Sequence, residues 1–290
     1  MSSPALTQPT CPLCETGTDD IYKHIDSEHD LAKCPRCDLA FIVSARNTDE
    51  RIRSQYVNNE ASPTDYFVRT EQIDINHFNR LFDDFEGHTR TGRLLDIGCS
   101  TGTALAIAAE RGWEVTGVEP NPASAEIARS KGFKVHESFF DEGLEEELGP
   151  VFDVVLLSDV IEHVPQPLDM LRRANRVLQT DGIVVIVTIN FDSWLCRKYQ
   201  IKPSEHPVYF SPKSLDITLS MSGFVTLACQ SYVRDRDLSQ MAFSSTETGG
   251  AELMISRLVG AHPLINAAAT GFMKLLGKDE LLGIGRKVDG

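Results

Sequence analysis

A short glycine-containing segment of the chain has the features of a nucleotide-binding turn. Residues 94–102 read Leu-Leu-Asp-Ile-Gly-Cys-Ser-Thr-Gly, and an alanine-rich run follows from Thr103. A short apolar strand, a tight loop and a helix in this order form the opening of a nucleotide-binding βαβ unit. Gly98 and Gly102 let the backbone turn sharply and leave room for a ligand to lie against it. The loop therefore predicts a ligand at the start of the helix.

The spacing of the glycines indicates which ligand this is. A dinucleotide loop reads G-x-G-x-x-G and seats a pyrophosphate on the helix end. Here Asp96 precedes the glycines, the middle glycine is missing, and no Lys-Ser/Thr pair follows, which excludes a Walker loop. Glu119 ends the next predicted strand, 17 residues after Gly102, where an acid typically holds both ribose hydroxyls. The pattern favours a cationic or amine-bearing nucleoside, and an ordinary strand–turn–helix without a ligand is the alternative.

The cysteines predict a metal site near the N-terminus. Four of the seven lie in the first 37 residues, as two C-x-x-C pairs separated by 19 residues. Each pair bends the chain so that both sulfurs reach one ion, and two pairs complete a tetrahedron. Two disulfides, which the cytosol disfavours, and a redox pair are the alternatives. We predict a structural zinc ion, since four thiolates leave no open position for water. The predicted ligands are Cys11, Cys14, Cys34 and Cys37.

A second polar segment follows a predicted central strand. Residues 152–157 are apolar at nearly every position, as expected of a parallel strand that is buried on both faces. The chain then reads Ser-Asp-Val-Ile-Glu-His-Val-Pro from Ser158. A histidine at the carboxyl end of such a strand lies in the crevice where α/β proteins bind ligands, so His163 is a candidate base. The alternative is a histidine that caps the local turn or orients Glu162.

Together these segments resemble the class I S-adenosylmethionine-dependent methyltransferases. The first segment resembles motif I of that family, and Asp-Val-Ile-Glu-His-Val resembles the segment after strand four in its small-molecule O-, N- and C-methyltransferases. The resemblance runs from Leu94 to about Val233, roughly half of the chain. It implies an α/β fold with a Rossmann-like, doubly wound sheet of seven strands, the last of them antiparallel. The small zinc ribbon predicted from the cysteines precedes this sheet.

The resemblance also assigns roles to individual residues. It implies S-adenosylmethionine as the cofactor, with His163 as the first choice of base and His206 as the second. The stretch from His206 to Leu215 resembles methyltransferases that act on sugars, polyketides and quinones, so we expect a small-molecule, sugar or lipid-linked acceptor. Phe139 stands where the family often has an acid that binds the adenine amine, which leaves the adenine contacts open. The implied cofactor-binding residues are Asp96, Gly98, Cys99, Ser100, Gly102, Glu119, Pro120, Ser158 and Asp159.

Composition limits the alternatives. The net charge of −14 argues against a free-standing nucleic-acid binder, although an RNA methyltransferase whose ribbon grips nucleic acid stays an alternative. A non-catalytic cofactor-binding scaffold is another alternative, and an NAD oxidoreductase is disfavoured by the missing glycine. No apolar run reaches the roughly 20 residues that span a bilayer. The first residues lack the basic and apolar regions of a signal peptide, so a cytoplasmic location is expected.

The predicted elements divide the chain into four parts. Residues 1–45 form the zinc ribbon, and residues 46–90 form a linker and a helix over the cofactor mouth. Residues 91–233 form the cofactor-binding core, and residues 234–290 form a helical insertion and the final strand. The apolar run in that insertion would act as a lid, a contact between the subunits of a homodimer or an interfacial membrane helix. Packing over the core or against a second subunit is the default expectation.

Overall fold

A seven-stranded mixed sheet forms the centre of the molecule. The computed structural model of the 290-residue chain describes residues 8–44, 48–58, 64–233 and 279–288. Its strands are β4 (Arg93–Ile97), β5 (Glu114–Val118), β6 (Lys134–His136), β7 (Phe152–Ser158), β8 (Leu178–Ile189), β10 (Phe224–Tyr232) and β11 (Glu280–Lys287). They lie in the order β10-β11-β8-β7-β4-β5-β6 across the sheet.

The pairing of the strands confirms the predicted fold class. β6, β5, β4, β7 and β8 pair in parallel, whereas β11 pairs antiparallel with both β8 and β10. The last strand of the chain therefore inserts between the fifth and sixth strands of the sheet in the antiparallel direction. Residues 154–157 of β7 are fully buried, as a strand covered on both faces should be.

Helices cover both faces of the sheet. Three of them begin with a proline in the first turn, where the missing N–H costs nothing, and Asn121 and Ser211 cap two of these with their side chains. The helices are α1 (Thr48–Val57), α2 (Thr64–Phe85), α3 (Thr103–Glu110), α4 (Pro122–Ser130), α5 (Glu142–Leu148), α6 (Pro167–Val177), α7 (Trp194–Tyr199) and α8 (Pro212–Met221). Among the described helices, none is long and apolar enough to cross a membrane.

The two largest apolar clusters of the described residues lie on opposite faces of the large sheet. On one face, α2 and α3 pack against alternate residues of β7 and β8 through side chains such as Phe82, Phe85 and Ile107. On the other face, α6 and α8 pack against Val155 and Ile186. This second cluster continues without a break into the cysteine-containing segment at the N-terminus. The doubly wound arrangement thus buries the sheet and also anchors the small N-terminal unit.

A second, four-stranded sheet contains the N-terminal strands. Its order is β1 (Ile21–His24), β2 (His29–Lys33), β3 (Ala40–Ser44) and β9 (Val208–Tyr209), and all three pairings are antiparallel. β9 comes from the segment after β8, far along the chain from the other three strands. The N-terminal unit therefore shares its sheet with the segment that follows β8 and contains His206.

Several short elements differ from the sequence-based expectations. Part of the stretch predicted as a linker within residues 46–90 forms α1. The segment between β8 and α8, for which no element was predicted, contains α7 and β9. Short polar helices and two-residue strands carry little periodicity, so their sequences did not predict them. The predicted insertion and its proposed contact between subunits fall on residues 234–278, which lie outside the described residues.

Candidate functional site

The glycine loop after β4 folds tightly across the ends of two strands. Gly98 and Gly102 have φ angles of 77° and 82°, and Ser100 between them also has a positive φ of 48°. The backbone N–H of Gly98 donates to Val118 of β5 at 2.7 Å. A Cβ at Gly98 would lie 2.6 Å from Cγ2 of Val160. The loop therefore needs glycine for its backbone conformation, and it also touches the segment after β7.

Two buried acids lie under this loop. The carboxylate of Glu119 accepts hydrogen bonds from the backbone N–H groups of Ser100 at 2.9 Å and Asn121 at 2.7 Å. Glu119 thereby holds the loop closed against the start of α4. Burial raises the pKa of Asp96 to about 7, and the charge of Glu119 adds to this shift. Burial also raises the pKa of Glu119. A ligand with a positive charge would stabilise both carboxylates in their ionised form.

Buried hydroxyls border the same crevice at the ends of three parallel strands. Ser100 follows β4, Ser138 follows β6 and Ser158 ends β7. Within the described part of the chain, the Oγ atoms of all three are buried without a hydrogen-bond partner. Because buried polar atoms are nearly always satisfied, these hydroxyls fit a polar ligand that supplies their partners.

The remaining predicted cofactor residues lie around the loop in different ways. The thiol of Cys99 packs into a buried cluster with Leu105 and Ala128, and burial raises its pKa. Cys99 therefore contributes only its backbone to the ligand side of the glycine loop. Pro120 is half-buried between the strand and α4. Asp159 has a φ of 55°, and its N–H donates to the carbonyl of Val187 at 2.9 Å.

The two candidate bases are in contact. His163 and His206 have ring centroids 4.6 Å apart with an interplanar angle of 70°. Nδ1 of His163 lies 3.0 Å from the carbonyl oxygen of Glu205. Since a carbonyl only accepts, this nitrogen carries the proton, and Nε2 is the basic nitrogen of the neutral ring. Burial lowers the pKa of His163 to about 4. Burial and the neighbouring His163 hold the pKa of His206 well below its usual range.

Next to this pair, Glu162 is a buried acid to which the sequence analysis gave no chemical role of its own. It is 1% exposed and accepts a hydrogen bond from Oγ1 of Thr188 at 2.8 Å. Burial raises its pKa to about 8, and the charges of Asp159 and Glu280 contribute. Glu280 begins β11 and pairs with Ile189 at the end of β8. Glu162 could have been found from the Asp-Val-Ile-Glu-His-Val motif. The proximity of Glu280 to Glu162 could not, because it depends on the antiparallel pairing of β11 with the distant β8.

The four cysteines of the N-terminal unit lie together. Their sulfur atoms are all within 4.8 Å of one another, and the pairs Cys11–Cys37 and Cys14–Cys34 are each 3.5 Å apart. A tetrahedral zinc site with Zn–S bonds of about 2.3 Å has sulfurs about 3.8 Å apart. The cluster therefore fits a tetrahedral ion. The nearby His24 and His29 bind the carboxylates of Asp30 and Asp26 instead.

The chain is similar in sequence to known methyltransferases. A family model described as a methyltransferase domain matches residues 70–228. The chain is 33% identical over 122 residues to a ubiquinone biosynthesis O-methyltransferase of Pseudomonas aeruginosa, which is 40% of this chain and 53% of that protein. It is 37% identical over 105 residues to the protein of the same name from Azorhizobium caulinodans, 34% of this chain and 40% of that protein. The chain thus spans about half of the length of these curated relatives or less.

Solved structures share the fold. A SAM-dependent methyltransferase from Archaeoglobus fulgidus superposes with a TM-score of 0.55 at 22% identity, over 77% of this chain and 99% of that one. A 1,6-didemethyltoxoflavin-N1-methyltransferase from Burkholderia thailandensis, solved with its substrate and S-adenosylhomocysteine, has a TM-score of 0.55 at 17% identity. The superposition covers 92% of this chain and 99% of that one. At these identities the likeness establishes the architecture.

The raised pKa of Glu162 predicts a pH dependence of stability. In the folded state the group keeps its proton up to about pH 8, whereas in the unfolded chain it ionises near pH 4.5, so stability falls as the pH rises between these values. Glu162→Gln mimics the protonated acid and should reduce this fall by up to about 4 kcal/mol, since one pKa unit corresponds to about 1.4 kcal/mol. Urea unfolding at pH 5 and pH 8 measures the difference. Equal slopes for the wild type and Glu162→Gln would contradict the assignment, and Glu114→Gln on an exposed side chain is the control.

Proposed function

The chain belongs to the methyltransferase-domain family, and from this premise we propose that it transfers the methyl group of S-adenosylmethionine to a small-molecule acceptor. The observation that carries the proposal is the contact between the glycine loop and the segment of the candidate base, where Gly98 lies against Val160. Val160 lies three residues before His163, so this contact supports a site for a cationic nucleoside beside the candidate base. A methyl donor and a proton acceptor are required side by side for methylation of a hydroxyl.

The cofactor site is proposed from the residues around the loop. S-adenosylmethionine, when bound, supplies an electrophilic methyl group on a positively charged sulfur. Asp96 and the glycine loop would border its methionine end, and Glu119 would hold the ribose. The two buried carboxylates favour a cationic ligand, and the buried hydroxyls of Ser100 and Ser158 would gain polar partners. Cys99, Gly102, Pro120 and Asp159 complete the proposed set.

His163 is the proposed base. Its Nδ1 donates to the carbonyl of Glu205, so Nε2 would receive the proton of an acceptor hydroxyl as that oxygen attacks the methyl group. A pKa of about 4 keeps the ring neutral at pH 7, which is the form that a base requires. His206 contacts the ring of His163 and is the second candidate. His206 is buried and His163 is half-buried, so both rings are partly shielded from water.

A small-molecule acceptor is favoured over RNA. The relatives that match at 33% and 37% identity are named for O-methylation in ubiquinone biosynthesis, and the candidate base is half-buried against the buried His206. The described part of the ribbon, residues 8–44, has seven acidic residues against three basic ones. An acidic surface repels phosphates, so this ribbon is poorly suited to gripping nucleic acid. A sugar, a phenol or a lipid-linked acceptor agrees with the site.

We further propose that the four cysteines bind one structural zinc ion. The sulfur geometry fits a tetrahedral ion, and four thiolates leave no position for a catalytic water. Three of the four cysteines are buried within the cluster that joins the ribbon to the core. The ion would therefore stabilise the ribbon and its attachment to the large sheet.

The cofactor assignment predicts the effect of Glu119→Ala. Loss of the carboxylate should weaken S-adenosylmethionine binding by 100-fold or more, roughly the 3 kcal/mol expected of two charge-assisted hydrogen bonds. Isothermal titration calorimetry measures this change, and circular dichroism checks that the fold is retained. Glu114→Ala, which removes an exposed acid from the same strand, should leave the affinity unchanged. Wild-type affinity in Glu119→Ala would remove Glu119 from the site.

The base assignment predicts the effect of His163→Ala. Turnover should fall by roughly 10²–10⁴-fold, which is the usual contribution of general-base catalysis, while S-adenosylmethionine binding stays intact. The rate is followed as S-adenosylhomocysteine formation with an acceptor-containing extract. Because the His163 pKa is about 4, the wild-type rate should show no inflection from His163 between pH 6 and pH 8. An unchanged rate in His163→Ala would place the base elsewhere.

The zinc proposal predicts the metal content. Native mass spectrometry of the purified chain should find one zinc ion per molecule, and Cys37→Ala should lose it. Cys229→Ala is the matched control, since this half-buried thiol donates to the carbonyl of Pro212 and lies outside the cluster. A full-length chain that binds no metal when refolded with zinc would contradict the proposal.

A further inference from the structure

A two-residue strand, β9, joins the ribbon to the segment that contains His206. In β9, Val208 pairs with Phe41 and Tyr209 pairs with Ala40 of β3. The N–H of Ile42 donates to the carbonyl of Pro207 at 2.9 Å, which extends the pairing by one residue. The segment that contains His206 is therefore fixed to the ribbon by backbone hydrogen bonds.

The ribbon end of this pairing starts at a cysteine knuckle. The N–H of Cys34 donates to the carbonyl of Leu39 at 2.9 Å, and the N–H of Asp38 donates to the carbonyl of Cys34 at 3.0 Å. β3 begins directly after this turn, at Ala40. A metal ion held by Cys34 and the other three sulfurs would thus set the position of β3, and through β3 the position of β9.

Tyr209 connects β9 to the turn before it. Its side chain is fully buried in a cluster with Leu31, Ala40 and Phe191, and its hydroxyl accepts a hydrogen bond from the backbone N–H of Lys202 at 2.9 Å. The phenol thus links Lys202, at the start of the turn, to β9, the strand that follows the turn.

The turn from Lys202 to His206 ends on the candidate base. The N–H groups of Glu205 and His206 donate to the carbonyl of Lys202 at 3.0 and 2.8 Å, and Nζ of Lys202 lies 3.2 Å from Oε2 of Glu205. The carbonyl of Glu205 in turn accepts the Nδ1 proton of His163. Tyr209, Lys202, Glu205 and His163 therefore form one chain of hydrogen bonds.

We propose that Tyr209 is a positioning residue through which the cysteine ribbon fixes the tautomer and orientation of His163. The proposal rests on the proposed role of His163 as the base. In a neutral imidazole either nitrogen can carry the proton, and the acceptor on one nitrogen decides which is the base. Holding the Glu205 carbonyl against Nδ1 leaves Nε2 as the basic nitrogen. The ribbon would then act in the reaction by positioning a base, without contacting nucleic acid.

The test is Tyr209→Phe in the zinc-loaded protein, which keeps the buried ring and removes only the hydroxyl. Nitrogen-15 NMR of labelled histidines should give His163 as the Nδ1–H tautomer in the wild type and as a mixture of tautomers in Tyr209→Phe. The kcat should fall roughly tenfold, as expected for a misplaced catalytic group, with an unchanged KM for S-adenosylmethionine. Tyr22→Phe, at a ribbon tyrosine that is 46% exposed, should match the wild type in both measurements.

Metal removal provides an independent arm. Chelation of the wild-type protein should weaken the amide-exchange protection of residues 205–209 and shift His163 toward the same mixture of tautomers. An unchanged His163 tautomer in both Tyr209→Phe and the metal-free protein would overturn the proposal. If the His163 tautomer shifts in Tyr209→Phe but His163→Ala keeps the wild-type rate, the coupling is upheld and the proposed base is refuted. The two failures are therefore distinguishable.

Discussion

Parallel pairing of β4 with β5 and β7 is the constraint on which the site depends. Parallel strands end at one edge of a sheet, so the loops after these three strands must meet there. This edge collects the glycine loop, Glu119 and the Asp159–His163 segment, although they are far apart in the sequence. Gly98 is then forced against Val160, and only a residue without a side chain fits. Backbone topology, more than any single side chain, brings a ligand loop and a candidate base together.

Burial at this edge raises the pKa values of acids and lowers those of histidines, and both shifts favour the neutral form. Desolvation raises the pKa of Asp96 and Glu162 and lowers that of His163, because in each case it disfavours the charged form. The crevice therefore favours a neutral histidine and a protonated Glu162 at pH 7. The positive charge of a cationic cofactor would stabilise the ionised carboxylates of Asp96 and Glu119. The same electrostatic environment thus suits a sulfonium donor and an uncharged base.

The sequence predicted the parts of the site that depend on local patterns. The glycine loop and the paired cysteines have signals within a few residues. The final antiparallel strand was implied by the resemblance to the methyltransferases, and the sheet order confirms it. It did not predict β9 or the contact of His163 with the carbonyl of Glu205. A two-residue strand has no periodicity, and a backbone carbonyl has no side-chain signature. Both arise from pairing between distant segments. The ribbon therefore looked like a separate unit in the sequence, whereas it shares a sheet with the segment that contains His206.

The destination of the methyl group distinguishes methyl transfer to a small molecule from methylation of RNA and from a non-catalytic scaffold. Purified protein would be incubated with methyl-labelled S-adenosylmethionine and a host extract, which is then fractionated into RNA, protein, lipid and small molecules. Label is expected among small molecules, sugar conjugates or lipid-linked acceptors, with an acceptor identified by a mass increase of one methyl group. Label confined to RNA, or no label in any fraction while the cofactor binds, would contradict methyl transfer to a small molecule.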